Sequence, residues 1–569
     1  MARGIGSKSA PSTPAELDLA LERLDSAAPY WAAVPVGERA VLLAEIARRF
    51  YELSPRMVDL DCRKRGISRR SQRAGEPTLD GPAIIVRYAS ELSRTLAGEQ
   101  AVPPSAVRES GPRTVVSVLP LNAWDSLTFL GYRAEAWLDG AFTHEQAVLH
   151  PTALPRHAGE VALVLGAGNV PSIGVLDVLE QLFVRGRACL LKLSPVNDYL
   201  GPFVELAFAP LVARGFMAFA YGGADVGAYL TAHPAVDALH VTGSYETHEA
   251  IVWGSDRAER HARKARGEPR FQKPVTSELG NVSPAVIVPG AWTDSELDHA
   301  ARTIVGSFAF NAGFNCNATK LVVTPRGSRL RASLVERITR ILADVAPRRA
   351  YYPGAPEKYR RFTTDGGQVS EFTSGHALDL ESGESPWALV TDLLPERHPA
   401  CLEHEPFCAV LSEVSVVGDD PLEFLANATR FLNERVWGTL NAMLLVPAAL
   451  ERDAVLSAAL DQAIGDLRYG AVCVNVWPAV TYGLGTLPWG GHPSATLADV
   501  QSGLGWGHNA LLVQHVEKTV LRAPLVPLIK PFWYPEHRNL PQLATRLLDF
   551  QAAPSVGRLL PLVVAALRG

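Results

Sequence analysis

Apolar positions recur at helical spacing through ALERLDSAAPYWAAVPVGERAVLLAEIARRFYEL, which predicts two helices. From Leu154 to Gly243 the pattern changes. Apolar runs of strand length, VALVLGAG and RACLLKLSP, alternate there with the amphipathic segments VLDVLEQLFVRG and VELAFAPLVARG. This is a βαβα order, and unbroken runs of Val, Leu and Ala are typical of strands buried on both faces of a parallel sheet. A second unit of the same kind starts at Ser283, with the strand PAVIVPG, the helical run SELDHAARTIVGSFAF and the strand TKLVVTP. The expected fold class is therefore α/β with two such units. The charged stretch 254–274 and the segment YYPGAPEKYRRFTTDGGQ, from Tyr351, are expected on the surface. After Gln514, HVEKTVLRAPL alternates as a half-buried or edge strand does.

Composition narrows the function classes. The chain has 569 residues, 47% hydrophobic and 20% charged, which suits two or three globular domains and excludes a fibrous or disordered chain. Lys+Arg 54 against Asp+Glu 59 leaves a net charge of -5 with no long basic run, so no nucleic-acid surface is expected. The first residues lack the apolar stretch of about 7–15 positions that a secretory leader needs, and no apolar run approaches the roughly 18–20 residues of a membrane span. The six cysteines, at 62, 189, 316, 401, 408 and 473, form no CxxC pair and no secreted-type framework. A cytoplasmic protein without a metal centre, acting on a small molecule, is the expectation.

Three residues draw attention as candidate chemistry. Cys316 lies in FNAGFNCNATKLVV, just before a predicted strand and among small and amide residues, where a thiol can be exposed and polarised. Taken alone, a cysteine is more often an inert buried residue. Glu278, in KPVTSELGNVSPAVIV, sits where a loop meets a strand, and a carboxylate there is placed to act as a general base or simply to meet solvent. GAGNVP at 166–171 follows an apolar strand and precedes a helix, yet Pro171 stands where a GxGxxG fingerprint needs its last glycine. The turn instead presents Asn169, whose amide is a donor for a developing negative charge.

Taken together and in order, the motifs resemble the aldehyde dehydrogenase superfamily: GAGNVP with Asn169, KLSP with Lys192, VTGS with Gly243 and Ser244, ELGNVSP with Glu278, FNAGFNC with Cys316, HEPFCAV with Glu405 and Phe407, and PWGG from Pro488. The resemblance runs from about residue 27 to about residue 525. It implies an NAD- or NADP-dependent enzyme that oxidises a small-molecule aldehyde to an acid, with Cys316 as nucleophile, Asn169 and the Cys316 backbone N–H as oxyanion donors, and Glu278 activating the water that hydrolyses a thioester. It further implies Lys192 at the adenosine ribose, Gly243 and Ser244 at the pyrophosphate, and Glu405 with Phe407 at the nicotinamide ribose. The domains it implies are a nucleotide-binding domain of residues 1–140 and 159–277, a catalytic domain of 278–500, an oligomerisation element joining a hairpin at 141–158 to a strand at 514–525, and an extension of 526–569. Edge strands donated to a neighbouring subunit would give a homodimer or homotetramer.

Departures from the family pattern point to a divergent member. Pro195 stands where many NAD-preferring members carry a glutamate, so NADP is expected to serve as well as NAD. ELGN replaces ELGG, Cys408 and Ala409 replace Gly-Pro, His492 follows PWGG, and the helix after Asn169 lacks a lysine. The aromatics Phe314, Trp477 and Trp489 are candidates for an apolar substrate entrance or for core packing. A CoA-dependent acylating enzyme is the alternative within the fold, opposed by the presence of Glu278. A catalytically silent binding protein is the alternative outside it.

Overall fold

The computed structural model describes residues 10–379 and 383–569, so the reading of the first residues as lacking a leader lies partly outside the described residues. The two predicted N-terminal helices form as Pro14–Ala32 and Val36–Lys64. Thr13 and Glu16 cap the first reciprocally, and Pro35, which has no N–H to continue that helix, begins the second. Among the described residues no helix is long and apolar enough to cross a membrane.

The βαβα segment builds a six-stranded sheet. Its order is Gly503–Leu504, Val275–Leu279, Ala238–Gly243, Val161–Leu165, Ala188–Lys192 and Met217–Ala220. All neighbours are parallel except the short strand Gly503–Leu504. Strand order reverses between Val161–Leu165 and Ala238–Gly243, and such a switch point leaves a crevice at the carboxyl ends of the strands. Asn169 follows the first of these strands, and Gly243 ends the second.

The second unit builds an eleven-stranded sheet. Its parallel core runs Val516–Arg522, Ala471–Val474, Asn441–Leu445, Pro284–Ile287, Leu321–Pro325, Val410–Val416 and Trp387–Leu393. Three antiparallel strands at one end (Val107–Ser110, Arg113–Leu119, Arg133–Leu138) and one at the other (Gln368–Phe372) complete it. The two sheets are joined by 280–283, and the loop carrying Cys316 precedes the strand Leu321–Pro325. Chemistry is thereby gathered where the sheets meet.

Three expectations change here. The segment 141–158 is not a hairpin: it holds the short helix His144–Ala147 and the turn Pro151–Ala153, with the Gln146 side chain accepting from Thr143 N–H at 2.9 Å. The antiparallel partners of the late strand lie upstream, in Arg113–Leu119 and Arg133–Leu138. Nor is Val516–Arg522 an edge strand. It pairs with Ala471–Val474 on one side and Arg133–Leu138 on the other, so its backbone is satisfied within its own chain and is not available for donation to a neighbour. The segment from Tyr351 is only partly superficial, because Tyr351 and Tyr352 pack on the buried Phe314 ring at 5.0 and 5.7 Å. By contrast, the helix Arg257–Arg266 in the charged stretch buries no residue, as expected.

Candidate active site

Cys316 follows the helix Asp294–Ala309 through a tight turn in which Asn311, Ala312 and Gly313 all take positive φ, at 51°, 56° and 81°. Two of these residues carry a Cβ, so the turn needs outside support to persist. Support is present. Ser283 Oγ donates to the Cys316 carbonyl at 2.8 Å, Asn441 Nδ2 reaches the same oxygen at 3.4 Å, and buried Lys320 donates to the Gly313 and Cys408 carbonyls. Five of the six cysteines are buried, and Cys316 alone is partly open. Its thiol donates to Glu278 Oε1 across 3.1 Å.

Glu278 is the fourth residue of the strand Val275–Leu279, with Thr242 and Gly503 opposite it on the two neighbouring strands. Burial raises its pKa above the ordinary carboxylate range, the nearby Asp177 adds to this, and His508 opposes it. Burial, and then the Glu278 carboxylate, push the Cys316 thiol well above its usual value. Asn169 completes the group: it is buried, and one N–H of its amide goes to the Phe314 carbonyl at 3.0 Å, leaving the other for a ligand. Cys316, Glu278 and Asn169, 147 positions apart at the extremes in sequence, thus converge at the junction of the sheets.

Behind Glu278 lies a polar cluster with no sequence signature. Asp177 accepts from Thr242 Oγ1 at 2.9 Å and lies 3.3 Å from His240 Nε2 and 3.4 Å from His508 Nε2. Burial works against its charge, but the two imidazoles hold it below the usual carboxylate range. Asp177 likewise raises His240, against the effect of burial. A buried Asp in a helix of Ile, Val and Leu is the one hint the sequence carries for this cluster.

Of the residues expected at the dinucleotide, Lys192 and Gly243 end strands of the six-stranded sheet. Lys192 ends the strand Ala188–Lys192 and is buried; burial lowers its pKa, and Asp225 and Asp198 oppose the shift. The helix Ala224–Ala232 lies against it, since a Cβ on Gly227 would sit 3.9 Å from the lysine stem. Gly243 opens on free space, with nothing within 4 Å of an added Cβ. Ser244 caps the helix Tyr245–Val252 by accepting from Thr247 N–H at 3.2 Å. Glu405 sits beside Gly280, where a Cβ would lie 2.2 Å from Oε2, and its Oε1 is buried without a hydrogen-bond partner. Burial raises this carboxyl to about 7, opposed by Lys358 and Lys320. The Phe407 ring packs on Phe314 at 5.6 Å and on Tyr352 at 4.9 Å.

This donor set fits a dinucleotide. An orphaned carboxylate oxygen suits sugar hydroxyls, and a side-chain-free strand end before a helix N-terminus suits a pyrophosphate. Of the two readings of the aromatics, core packing holds: Phe314, Trp477 and Trp489 are all buried. Phe314 is enclosed by Tyr351, Tyr352 and Phe407, whereas Trp477 donates to the Asn317 carbonyl at 2.7 Å and packs on Phe310 at 5.2 Å and on Trp533 of the C-terminal segment at 6.0 Å.

A partly open cysteine in contact with a buried carboxylate, at the junction of two α/β sheets, marks this as the candidate active site. Residues 161–350 match the model described as the aldehyde dehydrogenase family. N-succinylglutamate 5-semialdehyde dehydrogenase of Sphingopyxis alaskensis is 26% identical over 332 residues, covering 58% of this chain and 56% of the relative, so the match spans little more than half of that protein. NAD-dependent aldehyde dehydrogenase from Sinorhizobium meliloti superposes with a TM-score of 0.60 at 18% identity, over 92% of this chain and 89% of that one. NADP-dependent glyceraldehyde-3-phosphate dehydrogenase from Bacillus halodurans, solved with NADP, gives 0.60 at 18%, over 90% and 91%. The chain thus carries a partial match to the aldehyde dehydrogenase family model and shares the fold of the solved aldehyde dehydrogenases.

Proposed function

We propose that the protein oxidises an aldehyde to a carboxylic acid with NAD or NADP, by way of a thiohemiacetal and a thioester on Cys316. The observation that carries this reading is the 3.1 Å contact between the Cys316 thiol and Glu278, with the Asn169 amide buried alongside. Addition of the thiolate to an aldehyde carbon places negative charge on oxygen, and Asn169 Nδ2 together with the Cys316 N–H are the donors for it. The bound dinucleotide, when present, supplies the hydride acceptor. Glu405 would hold its nicotinamide ribose, Phe407 would pack nearby, Lys192 would take the adenosine ribose, and Gly243 and Ser244 would face the pyrophosphate. Glu278 then takes a proton from the water that hydrolyses the thioester, a step for which a raised carboxylate pKa suits a base working near neutrality.

The test is NAD(P)H formation from short, long and aromatic aldehydes, each with and without CoA, with the acyl product identified. Free acid formed without CoA, and lost in Cys316→Ser while dinucleotide binding is retained, is the expected result. Acyl-CoA formed only when CoA is present would replace this reading with the acylating one, and no aldehyde-dependent turnover across the panel would remove both.

A further inference from the structure

Far from the motif residues in sequence, Asp61 and Arg65 stand one helical turn apart at the end of the helix Val36–Lys64. They form an ion pair at 2.9 Å with side chains 1% and 3% exposed. Burying two charges is costly unless their geometry is well satisfied. Here Tyr199 adds a hydrogen bond to Asp61 at 2.6 Å, and Arg65 spends its Nη1 on Asn311 Oδ1 at 2.8 Å. The Arg65 guanidinium also lies 5.4 Å from the centre of the Tyr351 ring.

That single contact settles the orientation of Asn311. With Oδ1 receiving from Arg65, and lying 2.9 Å from the Tyr351 hydroxyl, the Nδ2 group must face the other way. There it finds the Asn169 carbonyl at 3.0 Å, the Asn315 Oδ1 at 3.0 Å and the Phe314 carbonyl at 3.3 Å. The Tyr351 hydroxyl is also 3.1 Å from the Asn169 carbonyl. Arg65 therefore braces the left-handed turn at 311–313 and, through the Asn311 amide, ties the Asn169 backbone to the Phe314 carbonyl on which the Asn169 side chain rests.

We infer that Arg65, neutralised by Asp61, is a positioning residue that aims the free N–H of Asn169 at the developing oxyanion by fixing the Asn311 amide. The inference rests on the reading of Asn169 as an oxyanion donor. A displacement of about 1 Å in such a donor lowers turnover by up to about 100-fold. Because Arg65 touches no reacting atom, its loss acts on kcat and leaves the KM for aldehyde and for dinucleotide nearly unchanged.

The experiment is a double-variant cycle on the full-length protein with dinucleotide and the best aldehyde found above. Arg65→Ala alone should lower kcat by about 100-fold. In the Asn169→Ala background the same change should cost less than about twofold, because the residue it positions is gone. Equal losses in both backgrounds would overturn the inference. Should Arg65→Ala fail to fold, Tyr351→Phe enters the same cycle, since it removes one hydroxyl and leaves no buried charge unpaired. A loss of about tenfold confined to the Asn169 background supports the inference, and wild-type kcat in Tyr351→Phe overturns it. Asn169→Ala at the wild-type rate would instead remove the oxyanion reading itself, and this inference with it.

Discussion

The Cys316 thiol donates to Glu278 Oε1 across 3.1 Å. With the thiol as donor and the carboxylate as acceptor, this pairing disfavours the thiolate. Burial pushes both groups upward; the Glu278 carboxylate pushes the thiol further up, while the thiol's hydrogen bond favours the carboxylate.

Alkylation of Cys316 by iodoacetamide measures this directly, because only the thiolate reacts. A raised thiol pKa means that the thiolate fraction is still growing above pH 9, so the second-order rate should keep climbing there without a plateau. Glu278→Gln removes a charge that opposes ionisation. It should therefore move the rate profile to lower pH and speed alkylation at pH 8. A profile in Glu278→Gln that overlays the wild type would mean that the carboxylate does not control the thiol.

Glu405 carries a second pH signature. Its carboxyl is raised to about 7 by burial, and one oxygen has no partner. Only the ionised form offers both oxygens as full acceptors for a pair of sugar hydroxyls. Dinucleotide should thus bind more weakly at pH 6 than at pH 8, the affinity improving as pH rises through about 7. Glu405→Gln should bind roughly tenfold more weakly at pH 8 and lose that dependence. Calorimetric titration of the dinucleotide at both pH values decides it; an affinity independent of pH in the wild type would take Glu405 out of the ribose site.

Much of this was legible in the sequence, for reasons that also explain what was not. Runs such as VALVL and ACLLK predicted buried parallel strands because periodicity is a local property. Asn169, Glu278 and Cys316 were singled out by the ordered family-like motifs GAGNVP, ELGNVSP and FNAGFNC, and the structure brings them together at the junction of the sheets. Arg65 was not legible, since its partner Asn311 lies 246 positions away and their meeting is decided by tertiary packing. His508, 331 positions from Asp177, is hidden for the same reason. The hairpin expected at 141–158 failed on a local signal that was readable: Thr143 and Gln146 stand at capping-box spacing, which starts a helical turn.

Dinucleotide choice is a case where structure adds a charge that a local argument omits. Pro195 removes one carboxylate from the expected ribose site, which favours NADP, yet Asp225 and Asp198 both act on Lys192. A 2′-phosphate placed beside Lys192 would face their charge. NAD should therefore be used better than NADP, by about tenfold in kcat/KM, and Asp225→Ser should narrow the ratio by raising the NADP value. Equal use of the two by the wild type would show that Pro195 dominates.

The C-terminal segment is built into the site and not appended to it. Gly306, on the helix leading to the nucleophile turn, is glycine because a Cβ there would lie 2.3 Å from the Trp533 carbonyl oxygen. Trp533 and Phe532 pack on Trp477 at 6.0 and 6.3 Å, and Trp477 holds the Asn317 carbonyl next to Cys316. Tyr534 anchors the same stretch through its hydroxyl, 2.9 Å from His299 Nδ1. Gly306→Ala must push this segment outward, and overpacking of this kind costs about 1–3 kcal/mol. The variant should melt earlier, be nicked by protease near 526–540 sooner than the wild type, and show a changed KM for aldehyde with dinucleotide affinity intact. Wild-type melting and protease resistance in Gly306→Ala would mean that the segment yields freely and does not brace the nucleophile turn.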